Sequence, residues 1–209
     1  MHPDFLTEAM EPLLRALNVA GLAVFAASGA LAAARRRLDL IGACFFALIT
    51  ATGGGTVRDL LIGAPVFWMT DTMPILICIA IAVAAWIVPL RFWPGRALEW
   101  LDAGGLAAYA VYGAAKALQF GITPLSAAAA GIITACMGGI IRDIVAGVPS
   151  ILLRHELYVT AALIAAGLFV GLTIADVPAP WPMLVGAAAG FLLRGAALHW
   201  KLSLPPHPG

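Results

Sequence analysis

The most constraining feature of this chain is a block of residues that occurs twice, with Arg58 recurring as Arg142 and Pro65 as Pro149, 84 positions later. The first copy reads Gly-Gly-Thr-Val-Arg-Asp over 54–59, and the second reads Gly-Gly-Ile-Ile-Arg-Asp over 138–143. Further matched pairs on the N-terminal side of each block keep the same offset without a gap. This regularity predicts two copies of one structural unit.

Composition places the chain in a lipid bilayer. Of its 209 residues, 62% are hydrophobic and 11% are charged, with a mean hydropathy of +0.98, whereas a soluble domain carries about 25% charged residues. We therefore expect an integral membrane protein surrounded by lipids. The net charge of +1 and the lack of a basic stripe give no reason to expect a nucleic-acid partner. The cysteines and histidines show no ligand spacing, so no metal and no cofactor are expected.

A helix that spans a bilayer needs about 20 apolar residues, and seven segments of the chain meet this length between turn signals. Three of them separate the two copies of the block, and an odd number of crossings inverts the second copy relative to the first. The predicted fold is an all-α membrane protein with two inverted three-helix repeats plus a seventh helix. The predicted spans are 13–33, 39–61, 73–91, 100–119, 123–146, 157–175 and 181–199.

These spans divide the chain into five parts: an N-terminal periplasmic tail, two repeats, a seventh helix and a cytoplasmic tail. The boundaries are 1–12, 13–92, 98–176, 181–200 and 201–209.

Positive charges indicate which ends of the helices face the cytoplasm. With the first loop inside, every loop lysine and arginine falls on one side, and the opposite loops contain only Asp71 and Asp176. We expect an inner-membrane protein with its N-terminus outside and its C-terminus in the cytoplasm. The cations on the inner side are Arg35, Arg36, Arg37, Arg91, Arg96, Arg154 and Lys201.

Glycines interrupt the second and fifth predicted helices at equivalent positions. Glycine costs about 1 kcal/mol relative to alanine in a helix interior, so a run of three predicts a break or kink that exposes backbone carbonyls to a water-filled path. The alternative is a close helix–helix contact, which small residues commonly make in membranes. The glycines are Gly53, Gly54, Gly55, Gly138 and Gly139.

Four charges follow these glycines: Arg58 and Asp59 in the first copy, and Arg142 and Asp143 in the second. A charge at the bilayer centre costs at least about 2.5–3.5 kcal/mol, so such residues pair with one another or line a cavity. Adjacent residues on a helix do not face each other, so we do not expect Arg58 to pair with Asp59 and predict a charge or carbonyl of the other repeat as its partner. The four charges then form either a structural clamp between the repeats or a charged vestibule at each end of a path.

Two further charges lie inside the fourth predicted helix. Lys116 lies toward the outer end, where it either extends to the surface or serves as a gating charge. Asp102 opens the same helix from the inside and is interpreted either as an acid that stabilises the helix start or as a functional residue. No enzyme motif stands out, since the chain has no metalloprotease, nucleophile-elbow or phosphate-loop signature.

Three strings of residues form a larger pattern: 53–59 with Gly63, Pro65, Phe67 and Trp68; 25–31; and 138–143 with Gly147, Pro149, Glu156, Leu157 and Tyr158. Together they resemble the prokaryotic branch of the trimeric intracellular cation (TRIC) channel family, also labelled a glycine-transporter-like family. The resemblance covers roughly residues 14–193.

This resemblance implies a seven-helix subunit, a homotrimer, and one pore in each subunit that passes K⁺ and Na⁺. The implied pore runs between the second and fifth helices, and the glycines named above would shape it. Arg58, Asp59, Arg142 and Asp143 would occupy the charged positions beside it.

Two other functions fit the same residues. A secondary transporter of a small neutral amino acid such as glycine would use an inverted repeat equally well. A structural or lipid-handling membrane protein would use the charges for assembly alone.

Overall fold

The computed structural model describes residues 3–153 and 157–203, without the side chains of residues 3–10 and 153. This part of the chain is all-helical. Seven helices have 15 residues or more, and one short helix and two 3₁₀ turns lie in the loops. The long helices are α1 (Pro3–Arg35), α2 (Leu40–Leu61), α4 (Met73–Ile87), α5 (Ala97–Gln119), α6 (Pro124–Val145), α7 (Val159–Ile174) and α8 (Trp181–Trp200), and the short one is α3 (Phe67–Thr70).

Each of the seven predicted segments is helical, and the boundaries agree to within a few residues at most ends. The largest difference is at the N-terminus, where α1 begins at Pro3 and the predicted tail over 1–12 is therefore mostly helical. Arg154, Glu156 and residues 204–209 lie outside the described residues.

Local sequence signals explain several helix ends. The side chain of Asp39 accepts a hydrogen bond from the backbone N–H of Gly42 at 2.7 Å and so caps the start of α2. Pro124 and Pro182 occupy the first turns of α6 and α8, where the missing N–H of proline has no cost. Gly121 ends the turn after α5 with a φ of +75°, a conformation that glycine adopts without strain.

Four helices are long and apolar enough to cross a membrane: residues 11–35 of α1, then α2, α6 and α8. Two shorter helices, α4 and α7, are also apolar. α5 is the central helix, since it packs against α1, α6, α7 and α8, and 14 of its 23 residues are buried.

The helices pack in two matching groups. α1, α2 and α4 contact one another, and so do α5, α6 and α7. The two groups meet where α1 packs against α5 and where α2 packs against α6, and α8 packs against α5 and α7. At the first of these contacts the rings of Phe25 and Tyr109, which are 84 positions apart, lie 5.4 Å from centroid to centroid.

Small residues allow close approach of helices within each group. A Cβ atom added to Gly29 would lie 2.7 Å from the Oγ1 atom of Thr50, and one added to Gly113 would lie 2.5 Å from that of Thr134. These two contacts join equivalent positions in the two halves of the chain, so the repeated sequence gives repeated packing.

Candidate functional site

The glycines of the repeated block lie at the crossing of α2 and α6. A Cβ atom added to Gly54 would overlap the backbone carbonyl oxygen of Thr134, and one added to Gly138 would overlap that of Thr50. The two contacts are reciprocal, because Thr50 and Thr134 are themselves equivalent positions in the two halves. The crossing therefore brings backbone against backbone at the centre of the bundle.

Of the predicted break or kink, the break does not occur, and the kink stays a prediction. α2 continues without interruption from Leu40 to Leu61 and α6 from Pro124 to Val145. The alternative interpretation, a close helix–helix contact, accounts for the packing of Gly54 and Gly138.

The neighbouring glycines make room for side chains. A Cβ atom on Gly53 would lie 2.7 Å from Cδ1 of Ile141, and one on Gly55 would lie 2.6 Å from the ring of Phe67. At Gly139 the added atom would lie 2.8 Å from both a carboxylate oxygen of Asp102 and the hydroxyl of Tyr158. Gly139 therefore allows two polar side chains from other elements to approach α6.

The first group of buried charges is the Arg58 cluster, which we define as Arg58, Asp59, Tyr112 and Lys116. Nε and Nη2 of Arg58 donate to Oδ1 of Asp59 at 2.9 and 2.8 Å. Nζ of Lys116, on α5, donates to the same oxygen at 2.8 Å. The guanidinium carbon of Arg58 lies 5.1 Å from the ring centroid of Tyr112, within the range of a cation–π contact.

The second group is the Arg142 cluster, which we define as Ser28, Asp102, Arg142, Asp143 and Tyr158. Arg142 donates through Nε and Nη2 to Oδ1 of Asp143 at 2.9 and 2.7 Å. Its Nη1 donates to Oγ of Ser28 at 2.5 Å and to Oδ1 of Asp102 at 2.9 Å. The side chain of Arg142 is 1% exposed and that of Asp102 is fully buried.

The prediction that Arg58 does not pair with Asp59 is therefore wrong, and Arg142 pairs with Asp143 in the same way. Consecutive side chains leave a helix in different directions, but an arginine side chain is long enough to fold back onto the carboxylate of the next residue. Partners from the other half of the chain are present in addition, namely Lys116 for Asp59 and Ser28 for Arg142.

Each aspartate also holds the loop that follows its helix. Oδ2 of Asp59 accepts from the backbone N–H of Phe67 at 3.0 Å, and Oδ2 of Asp143 accepts from that of Ile151 at 2.8 Å. The chain turns back toward each carboxylate at a glycine with positive φ, +70° at Gly63 and +64° at Gly147. The repeated block therefore forms the same structural unit in both copies, which consists of a helix end, the turn that follows it and an ion pair.

The two clusters lie at opposite ends of α5. Lys116 near its C-terminal end belongs to one and Asp102 near its N-terminal end to the other. At a rise of 1.5 Å per residue, their separation of fourteen positions corresponds to about 21 Å. Because the C-terminal ends of α2 and α6 meet opposite ends of α5, these two helices are antiparallel.

The clusters differ in charge because the two copies differ at two positions: Lys116 corresponds to Ala32, and Asp102 corresponds to Asn18. A third difference, Tyr112 in place of Ser28, leaves the charge unchanged. The Arg58 cluster contains two cations and one anion, whereas the Arg142 cluster contains one cation and two anions. Both additional charges are on α5.

These contacts exclude one alternative for Lys116 and one for Asp102, and the functional alternatives stay predictions. Lys116 does not extend to the surface, since its side chain is 15% exposed and bonded to Asp59. Asp102 is not an acid of the first helical turn, where Glu99 lies, but a buried partner of Arg142.

Comparison with known proteins places this geometry in a family. A family model described as glycine transporter matches residues 15–89 and 99–173. A UPF0126 membrane protein of Vibrio cholerae is 39% identical over 199 residues, which cover 92% of this chain and 82% of the relative. The inner membrane protein YadS of Escherichia coli K12, also of the UPF0126 group, is 37% identical over 195 residues, covering 90% of this chain and 93% of the relative.

Solved structures resemble the whole fold. The TRIC trimeric intracellular cation channel orthologue from Rhodobacter sphaeroides superposes with a TM-score of 0.85 at 42% identity, covering 91% of this chain and 99% of that one. This chain belongs to the prokaryotic TRIC family. Another prokaryotic TRIC channel, crystallised in 0.5 M KCl, superposes with a TM-score of 0.86 at 26% identity, covering 93% of this chain and 100% of that one. This TRIC-family chain is therefore a multi-pass membrane protein and not an enzyme.

Sequence reasoning missed several residues of the TRIC site. Ser28 and Tyr158 belong to strings that carry the family resemblance, but nothing in their spacing links them to Arg142. Arg194 on α8 was missed as well, and it is fully buried, with its guanidinium carbon 5.2 Å from the ring centroid of Tyr158.

A further missed contact fixes the loop beyond the Arg58 cluster. Nε1 of Trp68 donates to Oγ1 of Thr56 at 2.9 Å, and that hydroxyl donates to the carbonyl of Thr52 at 2.8 Å. Thr56→Val is expected to lower the free energy of unfolding by about 0.5–1.5 kcal/mol, the usual value of one such hydrogen bond.

Thermal unfolding of the detergent-purified protein measures this loss. Thr70→Val is the matched control, because the hydroxyl of Thr70 is exposed and donates to a carbonyl in its own turn. Equal melting temperatures for the two variants would show that the Trp68 bond contributes nothing.

Proposed function

We propose that this chain is a monovalent cation channel that passes K⁺ and Na⁺ along a path inside each subunit. The similarity to TRIC cation channels over nearly the full length of the chain supports a cation channel. The observation that carries the proposal is the pair of buried charge clusters about 21 Å apart on α5. Charges buried within a membrane protein generally mark a pathway for ions.

The proposed path passes the crossing of α2 and α6. We propose that Gly53, Gly54, Gly55, Gly138 and Gly139 shape its narrow part, with Thr50 and Thr134 at the constriction. Buried polar atoms near this level support a hydrated path, because such atoms are usually matched by protein or by water. Oγ1 of Thr50 and the hydroxyl of Tyr109 have no hydrogen-bond partner among the described residues.

Arg58 and Asp59 would form the charged vestibule at one end of this path, and Arg142 and Asp143 the vestibule at the other. The chain has no ring of acids and no K⁺-filter motif, so discrimination between K⁺ and Na⁺ should be weak.

Lys116 and Asp102 are the proposed gating charges. The ion pair between Lys116 and Asp59 joins α5 to α2, and the pair between Asp102 and Arg142 joins α5 to α6. A movement of α5 would therefore change both ends of the path. One charge crossing the whole membrane field contributes about 2.3 kcal/mol per 100 mV, so voltage dependence through Lys116 alone would be shallow.

We also propose seven crossings, made of inverted repeats over 13–92 and 98–176 with a seventh helix over 181–200, and assembly as a homotrimer. The reciprocal contacts at the crossing of α2 and α6 support the repeats.

The proposed orientation places residues 1–12 outside and residues 201–209 in the cytoplasm, and the contacts of Arg35 and Arg36 support it. The side chain of Arg35 donates to the carbonyl of Gly95 at 2.8 Å, and that of Arg36 donates to the carbonyl of Gly147 at 3.1 Å. These bonds connect three loops that contain arginines at one end of the bundle, which is the pattern of a cytoplasmic side.

Recording from the purified protein in planar bilayers under a KCl gradient tests the proposal. We expect discrete current steps that reverse near the K⁺ equilibrium potential. A silent bilayer, together with saturable uptake of labelled glycine into liposomes, would instead support a transporter, which is how the matching family model is described. Absence of both activities would leave only a structural role.

A further inference from the structure

The loops at one end of the bundle carry exposed arginines and are bonded to one another. Arg35, at the end of α1, donates to the carbonyl of Gly95 in the loop before α5, and Arg36 donates to the carbonyl of Gly147 after α6. Both acceptors are neutral, so these bonds fix the loops without neutralising the arginines. We define the basic rim as the exposed cations of the loops after α1 and α4, namely Arg35, Arg36, Arg37 and Arg91.

The charge of the basic rim is not paired within the protein. No ion pair joins any of its four arginines to an acid among the side chains that the structure describes. Two acids of the same loops have other contacts, because Asp39 caps α2 and Glu99 accepts from Arg96 at 2.7 Å. The basic rim is therefore complementary to an anion from outside the chain.

The segment that carries Arg91 lies at the boundary of the bilayer. α4 has 15 residues, Met73–Ile87, which span about 22 Å at 1.5 Å per residue, less than the roughly 30 Å of a hydrocarbon core. The chain leaves the helix at Val88 and forms a 3₁₀ turn over Leu90–Phe92. Backbone of this kind is not exposed to lipid within the hydrocarbon region, so the turn belongs in the headgroup layer.

The side chains of this turn suit that position. Phe92 is 65% exposed and Leu90 is 45% exposed, so both present apolar surface outward. The guanidinium carbon of Arg91 lies 4.9 Å from the ring centroid of Phe92, within the range of a cation–π contact. The charge therefore lies directly beside the apolar surface, which is the arrangement of a segment that binds a membrane interface.

We propose that the basic rim and the 3₁₀ turn bind anionic phospholipids, with the arginines on the headgroup phosphates and Leu90 and Phe92 between the acyl chains. Guanidinium groups bind phosphate oxygens through paired hydrogen bonds, and a basic cluster beside a membrane favours anionic headgroups over neutral ones. The occupant is a lipid because the apolar surface of the turn continues that of α4, where Trp86 and Ile87 are exposed. The proposed orientation places these lipids in the inner leaflet.

Quenching of tryptophan fluorescence by brominated lipids tests this binding, since Trp86 and Trp93 flank the turn. The purified protein is reconstituted in phosphatidylcholine bilayers that contain brominated phosphatidylglycerol or brominated phosphatidylcholine, and the two quenching curves give the preference for the anionic lipid. We expect the wild-type protein to prefer it by about threefold to tenfold. Arg37→Gln and Arg91→Gln should each lower this preference by about twofold to fivefold, and about 0.5 M NaCl should reduce it by screening.

Arg15→Gln is the matched control, because Arg15 is an exposed arginine of α1 that lies twenty positions before Arg35, about 30 Å away at the other end of the helix. It should keep the wild-type preference. Equal quenching of the wild-type protein by both lipids would overturn the proposal, and so would rim variants that behave like Arg15→Gln.

The salt series keeps the proposal testable if the rim variants do not fold. A wild-type preference that is unchanged at about 0.5 M NaCl contradicts binding through exposed arginines, whereas a lost preference supports it. The measurement contains no current, so it is independent of the proposed channel function. A silent protein that retains its lipid preference would contradict the channel function alone.

Discussion

Gly54→Leu is expected to leave little or no folded protein. The added side chain would overlap the backbone carbonyl of Thr134, and a backbone atom in the middle of α6 cannot rotate away as a side chain can. The two helices would have to separate at the centre of the bundle, at a cost above the roughly 1–3 kcal/mol of ordinary overpacking. Size-exclusion chromatography and thermal unfolding of the detergent extract measure the loss.

Gly171→Leu is the matched control for this variant. Gly171 also lies inside a helix, but an added Cβ atom there meets nothing within 4 Å, so we expect a normal yield. Gly138→Leu should behave like Gly54→Leu, because its added side chain would overlap the carbonyl of Thr50. A well-folded Gly54→Leu protein would show that the crossing is looser than the contacts indicate.

Asp59→Ala is expected to lower the free energy of unfolding by about 3–5 kcal/mol, the usual cost of removing one partner of a buried ion pair. Asp59 is fully buried and accepts hydrogen bonds from Arg58, Lys116 and the backbone N–H of Phe67. Its loss leaves two buried cations without their anion and frees the loop that follows α2. The shift of the thermal midpoint measures the effect.

Asp71→Ala serves as the control, because Asp71 is exposed and its side chain accepts a hydrogen bond from the backbone N–H of Met73. It should lose no more than about 1 kcal/mol. Adding Lys116→Met to Asp59→Ala should recover part of the stability, since one of the two unpaired cations is then removed. Strictly additive losses in the double variant would argue against a shared cluster.

The helices could be predicted well because their signals are local. Apolar stretches about 20 residues long, with turns at Gly121 and Gly147, define them directly from the sequence. The predicted first span over 13–33 agrees within two residues at each end with the apolar part of α1 over 11–35, and the helix itself continues back to Pro3.

The site could be predicted as a set of residues but not as a set of contacts. The repeat identified Arg58, Asp59, Arg142 and Asp143, and the position of charges inside apolar segments identified Lys116 and Asp102. One geometric expectation was wrong, however, because each arginine folds back onto the aspartate beside it. The helices continue through the glycines without a break, and a kink there stays a prediction.

By itself, the sequence determined the membrane location, the positions of the helices and the equivalence of the two halves, because hydropathy, helix breakers and a fixed offset of 84 act along the chain. Only the tertiary structure decided which charges meet. Lys116 is 57 positions from Asp59 along the chain, and Arg142 is 114 positions from Ser28. Helical periodicity relates residues three or four positions apart, so it cannot predict contacts across these separations. Arg194 shows the same limit, because its burial depends on Gly186 and Gly190 fitting against α7, and the direction of a long side chain follows from that packing.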